Sequence, residues 1–68
     1  MKLYVTVCED HIVDPEIKIW SNKDKAIDYA KEFIKSYEDF TETSVRGLLY
    51  SANMCENYVY VFETTLNE

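Results

Sequence analysis

One stretch of the chain has the spacing of an amphipathic helix, and this feature constrains the fold more than any other. Between Asn22 and Tyr37 apolar residues recur every three or four positions, and charged residues of both signs fill the positions between them. Ser21 is a good N-cap residue, and Asp24 three positions later resembles the second member of a capping box. We therefore predict one helix over residues 22–37 with a single apolar side to bury.

Segments of alternating polarity flank this helix on both sides. Lys2–Cys8 and Glu16–Trp20 are joined by a short polar connection, which predicts an antiparallel hairpin. After the helix we predict strands at Ser44–Ala52, where Gly47 indicates a bulge, and at Tyr58–Thr65. The whole 68-residue chain is then one α+β domain of order ββαββ, a four-stranded, mainly antiparallel sheet with one helix packed on one face. A consecutive meander and a split strand order both fit this pattern.

One helix can cover only one face of such a sheet. We expect the aliphatic strand residues to face the helix: Leu3, Val5, Val7, Ile17, Ile19, Val59 and Val61. The other face then presents aromatic rings, from Tyr4, Trp20, Tyr50, Tyr58, Tyr60 and Phe62; if the faces are reversed, the aliphatic face is exposed instead. Monomers rarely leave a large apolar patch without a use, and aromatic residues are favoured interface anchors. We predict a homodimer or partner face here, the alternative being ordinary strand residues half-covered by their neighbours.

The acidic residues form the second candidate surface. The formal net charge is -6, from 13 Asp and Glu against 7 Lys and Arg, which disfavours direct binding to nucleic acid or an anionic membrane. In the predicted topology one edge of the sheet, where Glu68 also falls, collects Glu9, Asp10, Asp14, Glu16, Glu38, Asp39 and Glu42. We predict that this end binds a basic, nucleic-acid-binding protein; the alternative is that solvated loops are simply acidic.

Residues that could support catalysis or bind a metal are few. Cys8, His11 and Asp14 are possible zinc ligands, but they form one cluster without a second ligand pair. The single glycine excludes a glycine-rich phosphate loop. We therefore predict that the protein is not an enzyme and that it has no catalytic residue, metal site or cofactor. No apolar run approaches the ~20 residues of a membrane span, and no signal peptide is evident, so we expect a cytoplasmic protein.

The entry into the helix, between two hairpins, is Trp20-Ser21-Asn22-Lys23-Asp24-Lys25-Ala26. This layout resembles small phage-encoded inhibitor proteins, anti-CRISPR proteins among them. The resemblance implies a protein-binding inhibitor of a host defence or nucleic-acid-processing protein, acting in the host cytoplasm, and it transfers no functional residue. Two alternatives fit the same layout: a homodimeric sponge or sensor for a nucleotide-type small molecule, and a bacterial α/β interaction module.

Overall fold

A computed structural model describes residues 1–10 and 14–66 of the chain. Its strands form one antiparallel sheet in the order β2-β1-β5-β4-β3, and the helix packs on one face. The elements are β1 (Lys2–Glu9), β2 (Glu16–Trp20), α1 (Lys23–Lys35), β3 (Thr41–Thr43), β4 (Tyr50–Met54) and β5 (Asn57–Thr65). The α+β class with one helix on an open antiparallel sheet is confirmed, but the sheet has five strands rather than four.

The predicted third strand, Ser44–Ala52, is wrong in extent. The chain divides this region into the short strand β3, a connection over residues 44–49, and β4. Gly47 has a φ of 92°, in the left-handed region, and belongs to the turn of this connection rather than to a bulge. The polar sequence Thr-Glu-Thr of β3 forms an exposed edge strand opposite β4.

The additional strand changes the end of the sheet at which β5 finishes. It reverses the chain direction once more, so Lys2 of β1 lies opposite Thr65 of β5. The backbone N–H of Leu66 donates a 3.0 Å hydrogen bond to the carbonyl oxygen of Met1. The predicted topology placed the end of the last strand, Tyr58–Thr65, beside the β1–β2 connection, and this prediction is wrong. Glu68, which was expected there, lies outside the described residues.

Helix α1 begins one residue later than its capping pattern predicted. Asn22 is the N-cap, with φ -119° and ψ 122°, and its side-chain oxygen accepts a 3.1 Å hydrogen bond from the Lys25 N–H. The buried residues of the helix are Ala26, Ala30 and Ile34, at the four-residue spacing of one helical side. The two alanines allow a close approach to the sheet, where the Thr6 hydroxyl donates a 2.8 Å hydrogen bond to the Ala26 carbonyl oxygen.

The helix covers the opposite face of β1 and β2 from the one predicted. Thr6 lies opposite Val61 and Cys8 opposite Val59, and residues directly opposite each other share a face of the sheet. The helix-covered core therefore contains Thr6 and Cys8 beside the two β5 valines. The expectation that all the aliphatic strand residues face the helix is wrong for Leu3, Val5, Val7, Ile17 and Ile19.

The predicted aromatic face is divided between the two sides of the sheet. The set that packs against the helix-covered core consists of Tyr4, Trp20 and Tyr50. The set on the uncovered side consists of Tyr58, Tyr60 and Phe62, where the register places them beside the valines of β1. The physical reason is the antiparallel register between β1 and β5. It places the β5 valines opposite Thr6 and Cys8, and it places Tyr60 and Phe62 opposite Val7 and Val5.

Candidate functional site

Three connections meet at one end of the sheet. β1 and β4 run toward this end, so the start of β2 and the β4–β5 turn both lie there. The chain just after α1 also lies there, because the Tyr37 hydroxyl donates a 3.1 Å hydrogen bond to Asp10 Oδ2. We call this the acidic end and define it by seven carboxylate residues: Glu9, Asp10, Asp14, Glu16, Glu38, Asp39 and Glu56.

The acidic end adds Glu56 to the predicted set and leaves out Glu42, which lies in the same cross-strand row as Glu16 but at the other edge of the sheet. Glu42 lies in the middle of the edge strand β3, opposite Ala52, and accepts a 2.6 Å hydrogen bond from the Tyr50 hydroxyl. Lys31 Nζ lies 5.7 Å from the centre of the Tyr50 ring, so a cation lies close to the tyrosine that binds Glu42. Glu56 was missed, because its place at this end follows only from the five-stranded topology.

Tyrosine hydroxyls donate hydrogen bonds to two carboxylates of the acidic end, and a third tyrosine lies near Glu9. Tyr29 donates to Glu16, and this hydrogen bond, with burial, raises the pKa of Tyr29 to about 12. Burial raises the pKa of Tyr37, and its hydrogen bond to Asp10 adds to the effect. Burial, with the nearby charge of Glu9, raises the pKa of Tyr60. The donors are neutral phenols rather than cations. They therefore hold these carboxylates in place without adding a positive charge that would offset the negative charge of this end.

Four of the seven lysines and arginines lie at the other end of the molecule, whereas Lys35 is in the last turn of α1, toward the acidic end. The start of β1, the first turn of α1 and the β3–β4 connection meet at that other end. We call this the cationic end and define it by Lys2, Lys23, Lys25 and Arg46. It also holds Asp24 and Glu63, and Lys2 Nζ lies 3.9 Å from Glu63 Oε2. The molecule is therefore electrically polarised along the strand direction, and the C-terminal end of the helix dipole lies toward the acidic end.

The uncovered side of the sheet, which we call the open face, is nearly free of charge. Among the strand residues that the structure describes, it comprises Leu3, Val5, Val7, Glu9, Ile17, Ile19, Thr41, Thr43, Ser51, Asn53, Tyr58, Tyr60, Phe62 and Thr64. Glu9 is the one charged member. The helix-covered side carries five charged strand residues: Lys2, Glu16, Lys18, Glu42 and Glu63. A sheet with one solvated face usually shows the reverse pattern, polar outside and apolar inside.

The apolar half of the open face lies on β2, β1 and β5. Ile17 and Ile19 of the edge strand are 60% and 64% exposed. Val5 and Val7 are nevertheless buried, each lying between an isoleucine of β2 and a ring of β5. The two rings, Tyr60 and Phe62, stack with their centres 6.4 Å apart. The open face thus has an apolar centre of its own that no helix residue covers.

A shallow cleft adjoins this face. Its volume is about 290 Å³, and it is lined by Val45 and Leu48 of the β3–β4 connection, by Tyr58 and Tyr60 of β5, and by uncharged residues of β3 and β4. A phosphate group would need a cation or a cluster of donors in such a site. The lining residues suit an apolar group better than the nucleotide expected of a sponge or sensor.

The possible zinc ligands, from which no metal site was predicted, are only partly described, since His11 lies outside the described residues. Burial, with the nearby charge of Glu16, raises the pKa of the Cys8 thiol to about 11. Cys8 and Cys55 are both free cysteines. Within residues 1–10 and 14–66, no group of three or more His, Cys, Asp or Glu side chains is arranged to hold a metal ion. In the same described part of the chain, no helix is long and apolar enough to cross a membrane.

Comparison of the chain with protein families, with curated proteins and with solved structures found no match. No relative therefore assigns a role to any residue of the acidic end or the open face. A proposal for the function therefore rests on the composition and geometry of these two surfaces.

Proposed function

We propose that this chain is a non-enzymatic inhibitor that docks its acidic end against a basic protein surface. The supporting observation is that seven carboxylates from separate chain segments lie at one end, two of them hydrogen-bonded by neutral tyrosine hydroxyls. Nucleic-acid-binding proteins present clustered Lys and Arg to phosphates, and a fixed array of carboxylates can occupy the same positions. In the phage setting that the layout suggests, the target is a host defence or nucleic-acid-processing protein.

The distribution of charge over the whole molecule supports a basic partner. The acidic end carries the carboxylates and the negative end of the helix dipole, whereas Lys2, Lys23 and Lys25 lie at the far end. A basic surface would therefore attract the acidic end and repel the cationic end. Such complementarity contributes mainly to specificity and to the rate of association.

Displacement of a fluorescent DNA duplex from a panel of basic nucleic-acid-binding proteins, RNA-guided nucleases included, tests this proposal. We expect displacement from at least one member and a steep loss of affinity with salt. The decisive variant neutralises three exposed carboxylates of the acidic end that do not serve the tyrosine contacts, through D14N, E38Q and D39N. Its matched control neutralises three exposed carboxylates of the helix, through D24N, D28N and E32Q, with the same change in net charge.

We expect the acidic-end variant to bind about tenfold more weakly, since three exposed charge contacts are worth roughly 0.5 kcal/mol each. The helix control should bind within about threefold of the unmodified chain, because its charges lie away from the contact. Displacement from no member of the panel would overturn the proposal. Equal losses in the two variants would also overturn it, since net charge and not the acidic end would then determine binding.

A further inference from the structure

We infer that two copies of this chain associate through their open faces, with the strands of one copy running antiparallel to those of the other. This inference goes beyond the proposed inhibitor function and does not depend on it. It rests on the composition of the open face, on the pattern of residues across it, and on the separation of the acidic and cationic ends.

The open face is the surface on which two copies can approach most closely. Each copy carries a formal charge of -6, so contact through most of the surface brings like charges together. Among the described strand residues of the open face Glu9 alone is charged, and it lies at the acidic end of the face rather than in its apolar centre. Five strands about 4.8 Å apart give a face of roughly 500 Å² in projection, and burying it on both copies removes on the order of 1,000 Å² from water. This is the lower range for a specific interface.

Two neighbouring rows of side chains on this face have the same composition. Across the strands β2, β1 and β5, one row is Ile19, Val5 and Phe62. The next row, toward the acidic end, is Ile17, Val7 and Tyr60. Each row therefore presents an isoleucine, a valine and an aromatic ring in the same order. A two-fold axis that runs between the rows, perpendicular to the strands, places one row of each copy over the other row of its partner.

This arrangement matches like shapes at every position of the apolar centre. Ile19 of one copy lies over Ile17 of the other, Val5 over Val7, and Phe62 over Tyr60. The polar residues of β3 and β4 then face each other, and packed sheets lie about 10 Å apart with their strands nearly aligned. An interface in which the same patch serves both partners is the commonest arrangement in homodimers.

Electrostatics selects this two-fold axis over the alternative. A two-fold axis parallel to the strands would bring the two acidic ends together. The perpendicular axis instead places the acidic end of each copy beside the cationic end of the other, where Lys2, Lys23, Lys25 and Arg46 lie. Opposite charges then flank the apolar centre on both sides.

Light scattering of the protein alone, over a concentration series, tests the association. We expect the mass to rise from 8.1 kDa toward twice that value. Ile19→Lys places a charge in the apolar centre and should weaken association at least tenfold, whereas Thr65→Lys adds the same charge on the helix-covered side of the cationic end and should not weaken it. Because Ile19 is 64% exposed, the variant should stay folded, as circular dichroism would show. A constant mass of 8.1 kDa, or equal weakening by both variants, would overturn the inference.

Crosslinking tests the orientation. In a Cys55→Ser background, Ile17→Cys and Ile19→Cys chains are treated with a short bis-maleimide, separately and mixed. We expect the mixture to give far more crosslinked dimer than either chain alone, because position 17 lies over position 19 of the other copy. As much crosslinked dimer in either single-variant sample as in the mixture would overturn the antiparallel arrangement. Neither measurement contains a second protein, so failure here is distinguishable from failure of the inhibitor proposal.

Discussion

Tyr37 and Asp10 join the end of the helix to the end of β1. The Tyr37 hydroxyl donates to Asp10 Oδ2 at 3.1 Å, and the Tyr37 ring packs edge-on against Phe33 with the ring centres 5.6 Å apart. The chain that leaves the helix is thereby fixed beside the first hairpin. The direction of the helix places Glu38 and Asp39 at the same end of the molecule as the carboxylates of β1 and β2, and this contact holds them close to Asp10.

We expect Tyr37→Phe to lower the free energy of unfolding by about 1 kcal/mol. The substitution keeps the ring and its contact with Phe33 but removes the hydrogen bond to a carboxylate. Urea unfolding followed by circular dichroism measures the change. Tyr58→Phe, at a ring that is 44% exposed, removes a hydroxyl from the open face and should change stability by less than about 0.5 kcal/mol. Equal changes in the two variants would contradict the assigned role of Tyr37.

Stability should fall at high pH partly through Tyr29. Its neutral hydroxyl donates to Glu16, whereas its anion would repel that carboxylate, so its pKa rises from 10.0 to about 12 in the folded state. The folded chain then holds this proton more tightly than the unfolded chain. The stabilisation is complete below pH 10.0 and is lost as the pH rises to about 12.

Tyr29→Phe should make the decline in stability over this pH range shallower. Urea unfolding at intervals from about pH 8 upward measures the slope for both chains. The slope should not vanish, since Tyr37 and Tyr60 also have raised pKa values. Parallel declines in the variant and the unmodified chain would show that the bond to Glu16 does not contribute to the pH dependence.

The β4–β5 turn contains a backbone conformation that a glycine would adopt more easily. Met54 and Asn57 pair across a two-residue turn in which Cys55 has a φ of 56°. We expect Cys55→Gly to raise the free energy of unfolding by about 0.5 kcal/mol, as relief of the left-handed conformation outweighs the added freedom of the unfolded chain. Thermal unfolding measures the shift.

Gly47→Ala is the matched opposite change for Cys55→Gly. Gly47 has a φ of 92°, and nothing lies within 4 Å of the position that a Cβ atom would take. Its cost, about 1 kcal/mol, should therefore come from the backbone alone. Stabilisation by Gly47→Ala, or destabilisation by Cys55→Gly, would contradict this account of the two turns.

The helix could be predicted because its signals are local. The apolar spacing that predicts it is also the spacing of its buried residues, Ala26, Ala30 and Ile34. The N-cap was misplaced by one residue because Ser21 and Asn22 are both good capping residues. The structure identifies Asn22 as the N-cap, because its backbone is extended and its side chain accepts the hydrogen bond from the Lys25 N–H.

The choice of sheet face could not be predicted from alternation. Both sides of β1 are apolar enough to be buried, and Val5, Thr6, Val7 and Cys8 are all buried in succession. Alternation shows that successive residues point to opposite faces, but not which face the helix occupies. The close approach allowed by Ala26 selects the side with Thr6, and this depends on contacts between distant segments.

Strand β3 could not be predicted because it is short and polar. Thr41–Thr43 has no apolar alternation, and its pairing with β4 requires the turn at Gly47. Missing this strand left Glu56 out of the predicted acidic end. The position of the other acidic residues at one end follows from the structure, whereas their role in binding stays a prediction.

The pairing of β1 with β5 has a consequence for how the chain folds. These central strands are the first and last of the described chain, and Lys2 pairs with Thr65. The first hairpin and the helix can form from local contacts, but the middle of the sheet requires closing a loop of almost the whole domain. We therefore expect folding to be slow for a chain of this length, because its rate depends on contacts that are far apart in sequence.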